Sequence, residues 1–214
     1  MRVVIAGGHG QIALLLEAEL SRRGHSPVGI VRNPDHVEDV KGTGAEAVVL
    51  DLEQADVAAV ADVLEGADAV VFAAGGGPDS GVARKDTVDR GAAVLLADAA
   101  EQAGGRRYVM VSSMGTEKAD PTSDDVFQVY LRAKKAADDD LRARDLDWTV
   151  VRPGRLTDDA GQGRVQIGSL DHGEVPRADV ALVLAEILET PGTTGSTFDV
   201  VTGNQTVQAA LGGL

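Results

Sequence analysis

The feature that most restricts this chain is a glycine turn at its start. Met1-Arg2-Val3-Val4-Ile5-Ala6 has the β-branched, apolar character of a short buried strand, and it runs directly into Gly7-Gly8-His9-Gly10-Gln11-Ile12-Ala13, which opens an apolar helical stretch at Leu14-Leu15-Leu16. The spacing G-x-x-G-x-x-A gives each small residue a distinct role. Gly7 permits a tight turn, Gly10 lets backbone approach a diphosphate, and Ala13 lets the helix lie close on the sheet. A diphosphate there would rest on unpaired N–H groups and on the positive end of the helix dipole. No Asp or Glu precedes Glu17, in a chain whose net charge is −14. An acid-free stretch at that point suits an anion site.

Beyond the turn, short β-branched runs alternate with longer Ala/Leu-rich segments of helical period, the pattern of βαβ units around a parallel sheet. Strands are predicted at residues 2–7, 27–32, 46–50, 68–74, 106–112 and 147–152, with later ones near 164–168 and 196–201. Helices are predicted at 10–24, 35–42, 55–65, 84–103, 125–144 and 178–190. Gly24, Gly66 and Gly104-Gly105 stand where helices should stop. The fold expected is α/β, a Rossmann-type doubly wound parallel sheet in three α/β/α layers. Residues 1–214 are expected to form one domain, with 153–214 a small C-terminal elaboration on the substrate side.

The remaining cofactor residues follow from where ligands bind such sheets, outside the carboxyl ends of the strands. Gly7, His9, Gly10, Gln11 and Ile12 form the turn. The second strand ends in Val31-Arg32-Asn33-Pro34, with no acid before Asp35; Arg32 suits the 2′-phosphate of NADP, where an acid would suit the ribose hydroxyl of NAD. An exposed strand-end arginine is the alternative. Asp51 could accept from an adenine amino group while Leu52 covers the ring; Asp51 could equally be the N-cap of the next helix. Ala73-Ala74-Gly75 end the fourth strand and enter the glycine-rich loop that continues to Pro78.

Composition narrows the partners. A net charge of −14 argues against a broad nucleic-acid or anionic-membrane surface, which needs clustered Lys and Arg. The absence of cysteine excludes disulfides and thiolate chemistry and points to a cytoplasmic location. The opening run is too short for a signal-peptide core or a membrane span. His9, His25, His36 and His172 have no metal-ligand spacing, so no metal is expected. His172, in a loop where substrate could approach, reads as a surface histidine.

The chain resembles the atypical short-chain dehydrogenase/reductase superfamily, in its small epimerase-like NAD(P)-binding subgroup. The resemblance rests on Gly7 to Ala13, Asp89-Arg90-Gly91-Ala92, Val109-Met110-Val111-Ser112-Ser113-Met114-Gly115, Tyr130-Leu131-Arg132-Ala133-Lys134 and Val151-Arg152-Pro153-Gly154. It implies a catalytic set of Tyr130, Lys134, a serine at Ser112 or Ser113, and Asp89, which stands where better-known members carry Asn. It also implies that Pro153 and Gly154 cover the nicotinamide, with Arg152 or Arg155 near phosphate or substrate. The residues bear partly on this. Tyr130 and Lys134, four apart on a predicted helix, share a face, and a nearby ammonium lowers a phenol's pKa. Tyr130 could instead be core, since it shares an apolar stripe with Val126, Ala133 and Ala137. Lys134 also contacts the cofactor in this reading, because a sheet-facing lysine needs a partner such as a ribose hydroxyl.

Three functions fit these residues. The first is an NADPH-dependent reductase of a small carbonyl, quinone or flavin-like acceptor, since so short a C-terminal segment covers the nicotinamide poorly. The second is a non-catalytic NADP-sensing regulatory or assembly protein, and the third an NAD(P)-dependent sugar epimerase or dehydratase. The expected partners are a small-molecule substrate and no nucleic acid or membrane, with the chain a monomer or homodimer.

Overall fold

Alternation along the first strand, β1 (Arg2–Ala6), sets the architecture: Val3 and Ile5 pack in one apolar cluster while Val4 and Ala6 pack in another, so both faces of the sheet are buried. The computed structural model describes residues 1–77 and 81–214. Its first half runs β1, α1 (Gln11–Arg22), β2 (Ser26–Val31), α2 (Val37–Gly42), β3 (Glu46–Val49), α3 (Val57–Leu64) and β4 (Ala69–Phe72). A short α4 (Val82–Arg84), a π-helical segment (Lys85–Ala92), α5 (Ala93–Gln102), β5 (Arg107–Val111), α6 (Val126–Arg142) and β6 (Asp147–Pro153) follow. The rest comprises β7 (Arg155–Thr157), β8 (Arg164–Gly168), β9 (Glu174–Pro176), α7 (Arg177–Glu189), β10 (Ser196–Thr202), β11 (Gln205–Thr206) and α8 (Val207–Leu211).

Among the described residues nine strands form one sheet in the order β3-β2-β1-β4-β5-β6-β10-β8-β11. Pairing is parallel from β3 to β10; β8 is antiparallel to β10, and β11 to β8. β7 and β9 make a separate parallel pair. One face of the main sheet is covered by Leu16 and Leu20 of α1 and Val180 and Leu184 of α7. The other is covered by Val60 of α3, Leu96 of α5, and Ala137 and Leu141 of α6. This is the three-layer Rossmann-like arrangement. Each fully buried aliphatic chain contributes about 1.5–3 kcal/mol.

The chain steps outward from β1 through β2 to β3, then crosses to β4 on β1's other side. That reversal opens a crevice at the carboxyl ends of β1 and β4, and the site sits there. Gly24, Gly66 and Gly104 take positive φ at helix ends. The predicted helix 84–103 is instead α4, the π-helical segment and α5, which turns Lys85, Val88 and Asp89 inward together. Pro78, at the end of the predicted glycine-rich loop, lies outside the described residues. No helix among the described residues is long and apolar enough to cross a membrane.

Candidate functional site

The turn after β1 closes on itself through Gly10 N donating to Gly7 O at 2.8 Å, and it is anchored to β2 by Gly8 N donating to Ile30 O at 2.9 Å. Gly7 has φ +83°, and a Cβ there would lie 2.7 Å from Ala74 Cα, so only glycine fits beside the end of β4. α1 begins with no side-chain cap and no acid in its first turn, leaving backbone N–H groups for an anion, and Ala13 is fully buried beneath it.

Two clefts meet over this turn. The first, about 320 Å³, is lined by Gly7 and His9 of the turn and by Arg32, Asp51 and Leu52, the residues read as the adenosine end. His9 is held there by Asp39 Oδ2 at 2.8 Å and stacks on His36 with ring centroids 3.6 Å apart. Asp51 does not cap α3: that cap is Asp56, which accepts from Ala59 N at 2.8 Å, while Asp51 closes its own turn by accepting from Glu53 N at 3.0 Å. Arg32 donates to Glu53 at 3.1 Å. The same carboxylate accepts from Arg84 at 3.0 Å and from the Thr87 hydroxyl at 2.7 Å. The Thr87 bond, then Arg84, hold Glu53 below the usual carboxylate range.

The second cleft, about 700 Å³ and mostly apolar, shares Gly10, Ala73, Ala74 and Gly75 with the first. Of the residues singled out in the sequence, Gln11, Ile12, Asp89, Ser112, Tyr130 and Lys134 also line it. Tyr130 is half-buried at the cleft wall, so the core reading fails; the core tyrosine is Tyr108, whose hydroxyl donates to Ala93 O at 3.2 Å. Lys134 is 3% exposed, and its ammonium donates to Ala74 O and Val111 O at 3.2 Å each and faces Asp89 Oδ1 at 3.4 Å. Asp89 in turn accepts from Gly76 N at 3.2 Å. The ammonium over the Tyr130 ring is that of Lys85, 5.4 Å from the centroid.

Ser112 lines the cleft and Ser113 does not; the Ser113 hydroxyl donates to Met114 O at 3.3 Å. Ser112 lies beside the buried Asp138, close enough to lower its proton affinity but short of hydrogen-bond geometry. Burial outweighs this and raises the Asp138 pKa, with Arg152 also opposing. Arg152, expected near phosphate or substrate, does not line the cleft: it donates to Asp138 at 2.9 and 2.8 Å and to Glu117 at 2.7 Å. Arg155 pairs with Glu174 at the surface. Pro153 O accepts from Met114 N, and Gly154 N donates to Val200 O, each at 2.9 Å; neither residue lines the cleft, which Leu156 reaches instead. His172 is exposed.

Glu53, Arg84, Lys85 and Glu17 belong to this region without having been singled out in the sequence. For Lys85 a signal existed, the four-residue spacing to Asp89. Glu17 is fully buried below the turn, and its Oε1 lies 3.0 Å from where a Cβ on Gly8 would stand and 2.5 Å from one on Gly29. Burial pushes its carboxyl up to about 8.

Comparison with known proteins agrees with this geometry. Residues 7–191 match the NAD(P)H-binding family. The Saccharomyces cerevisiae UPF0659 protein YMR090W is 34% identical over 97% of this chain and 96% of its own. The Bacillus subtilis protein YhfK, named an uncharacterized sugar epimerase, is 32% identical over 99% of both chains. A solved Bacillus halodurans structure, provisionally described as an NAD-dependent epimerase/dehydratase, is 36% identical over 100% of both chains with a TM-score of 0.93. The glycine cradle against Ala74 and the uncapped start of α1 are what a bound NAD(P)H diphosphate requires. The chain belongs to the NAD(P)H-binding family, as a Rossmann protein of the atypical, epimerase-like short-chain dehydrogenase/reductase type.

Proposed function

We propose that this protein is an NADPH-dependent reductase of a small, flat carbonyl, quinone or flavin-like acceptor, acting as a single cytoplasmic domain. The observation that carries the reading is the continuity of the two clefts through Gly10, Ala73, Ala74 and Gly75. One end is polar and bears Arg32; the other is apolar and bears Tyr130. The groove would hold a dinucleotide whose nicotinamide, when bound, would bring hydride chemistry to the apolar end.

The chain's own residues bind and orient. The turn Gly7 to Ile12, with His9, holds the diphosphate, and Arg32 takes a 2′-phosphate, which is the reason for preferring NADP over NAD. Asp51 and Leu52 receive the adenine. Lys134 stiffens the floor by tying Ala74 to Val111 across two strand ends. Ser112 and Tyr130 face an acceptor carbonyl, where Tyr130 supplies a proton to the oxygen. Val126 and Phe127, both exposed at the cleft mouth, form a shelf suited to a flat ring.

A non-catalytic NADP-sensing role is the second reading, favoured by one observation: Lys134 is engaged by two carbonyls and Asp89, and the cation over Tyr130 is Lys85. NADPH oxidation with a panel of quinones, flavins and aldehydes decides between them. Turnover with at least one acceptor is expected. Tight NADPH binding with no turnover of any of them supports the sensor, and calorimetry showing no binding of NADP or NAD overturns both.

A further inference from the structure

The carboxylate of Glu53 stands between two guanidinium groups at the edge of the first cleft. Arg32, at the end of β2, reaches it from one side; Arg84, the last residue of α4, reaches the same Oε2 from another, and the Thr87 hydroxyl fixes Oε1. Glu53 is the more buried member of the group, at 19% side-chain exposure against 52% for Arg32 and 38% for Arg84. Glu53 thus faces two guanidiniums, while the other carboxylate lining this cleft, Asp51, is turned to Glu53 N instead. In addition, the Nε of Arg84 is buried and has no hydrogen-bond partner among the described residues. An unsatisfied, charged N–H of this kind calls for an acceptor that the described residues do not provide.

We infer that Glu53 is an internal stand-in for a 2′-phosphate: it holds Arg32 and Arg84 in a receptive position and competes with the phosphate of a 2′-phosphorylated adenosine for both. This rests on the NADP reading above and extends it to residues that reading does not use. A phosphate carries more charge than a carboxylate and one more acceptor oxygen, so it can take both arginines at once. The retained carboxylate then opposes it as a like charge. Glu53 thereby sets the discrimination between 2′-phosphorylated and 2′-hydroxyl ligands, and Arg84 is a second phosphate ligand beside Arg32.

Calorimetry on the full chain with adenosine 2′,5′-bisphosphate and with 5′-AMP tests this without any turnover. Glu53→Gln is expected to bind the bisphosphate about tenfold more tightly and 5′-AMP within about twofold of wild type. Arg84→Met is expected to weaken the bisphosphate by about tenfold and leave 5′-AMP unchanged. If Glu53→Gln does not fold, Thr87→Val, which removes the hydroxyl anchoring Glu53, is expected to tighten the bisphosphate about two- to threefold. An unchanged bisphosphate isotherm in the Glu53 or Thr87 variant overturns the inference. So does weaker binding of 5′-AMP by Glu53→Gln, which would make Glu53 an acceptor for the ribose 2′-hydroxyl. Displacement of the bisphosphate by equimolar inorganic phosphate would assign a free-anion site and also overturn it. A wild-type protein that binds neither NADP nor NAD defeats the proposed function itself, whereas NADP binding with an indifferent Glu53 defeats this inference alone.

Discussion

Beneath the glycine turn Glu17 is buried with only the Thr43 hydroxyl, at 3.4 Å, as a partner, and its Oε1 has none among the described residues. Beneath the second cleft Asp138 is buried against two bonds from Arg152, and Asp89 against the ammonium of Lys134. The two regions therefore solve the same electrostatic problem differently. A carboxyl taken out of water without a cation keeps its proton, so the floor of the diphosphate site is neutral and does not repel an anion. The acids behind the second cleft are matched by cations, which fix the ends of β5 and β6 around Ser112. Glycine at 8 and 29 follows from the first solution, because the Glu17 carboxyl fills the space a Cβ would need.

The contrast breaks most sharply at Arg152. Arg152→Met leaves Asp138 buried without its cation and is expected to cost about 3–5 kcal/mol in denaturant unfolding, with Asp138→Asn on the same background restoring much of it. A loss below about 1 kcal/mol would mean that the pairing is incidental. Glu17→Gln should move stability the other way. The folded-state pKa of Glu17 is raised from 4.5 to about 8, so its contribution is fully present below pH 4.5 and is lost as the pH rises toward about 8. The variant should match wild type near pH 4.5 and exceed it by about 3 kcal/mol at pH 7, flattening the pH dependence of Tm. Parallel pH profiles for the two proteins would show that Glu17 is ionised and that the floor is not neutral.

The same contrast explains which parts of the site could be read from the sequence. The turn was legible because backbone geometry dictates it: Gly7, Gly10 and Ala13 are demanded locally, and the alternation of Val3, Val4, Ile5 and Ala6 declares a sheet buried on both faces. Strand ends then located Arg32, Asp51 and Ala73 to Gly75 in the first cleft. Side-chain pairing across long separations was not legible. Glu53 meets Arg32 from 21 residues away and Arg84 from 31, and no local pattern announces either bond. Arg152 lies within a motif segment, yet its guanidinium is taken up by Asp138, 14 residues back, and Glu117, 35 residues back. Ser112 and Ser113 follow the end of β5, where alternation no longer fixes direction. The π-helical segment and the two- and three-residue strands β7, β9 and β11 are too short or too irregular to leave a period.

A smaller effect is expected at Lys134, whose contact with Asp89 is longer than the Arg152 bonds. Lys134→Met keeps most of the aliphatic stem and should cost about 2 kcal/mol, less than Arg152→Met. Because the ammonium ties Ala74 O to Val111 O, the variant should also weaken NADPH binding, read as a higher Kd in fluorescence titration. Loss of stability without any change in Kd would make Lys134 a purely structural group.

The smallest effect on stability belongs to Phe127, at the second cleft's mouth, where burial contributes little. The residue is 57% exposed and its ring stacks on Tyr130 with centroids 5.9 Å apart, so Phe127→Ala should change folding stability by no more than about 0.5 kcal/mol. An aromatic shelf is worth about 0.5–1.5 kcal/mol to a ring that lies on it, which corresponds to a roughly two- to tenfold rise in KM for a flat acceptor. On the proposed reaction kcat should hold, because Tyr130 and the floor are unchanged, and a small aliphatic aldehyde should not notice the change. Such a split between flat and small acceptors would assign recognition to the exposed, uncharged rim and leave buried charge to set the shape of the site. An equal fall in kcat for every acceptor would instead place Phe127 in support of Tyr130, and the apolar end of the groove would then depend on packing as closely as the polar end depends on Glu17.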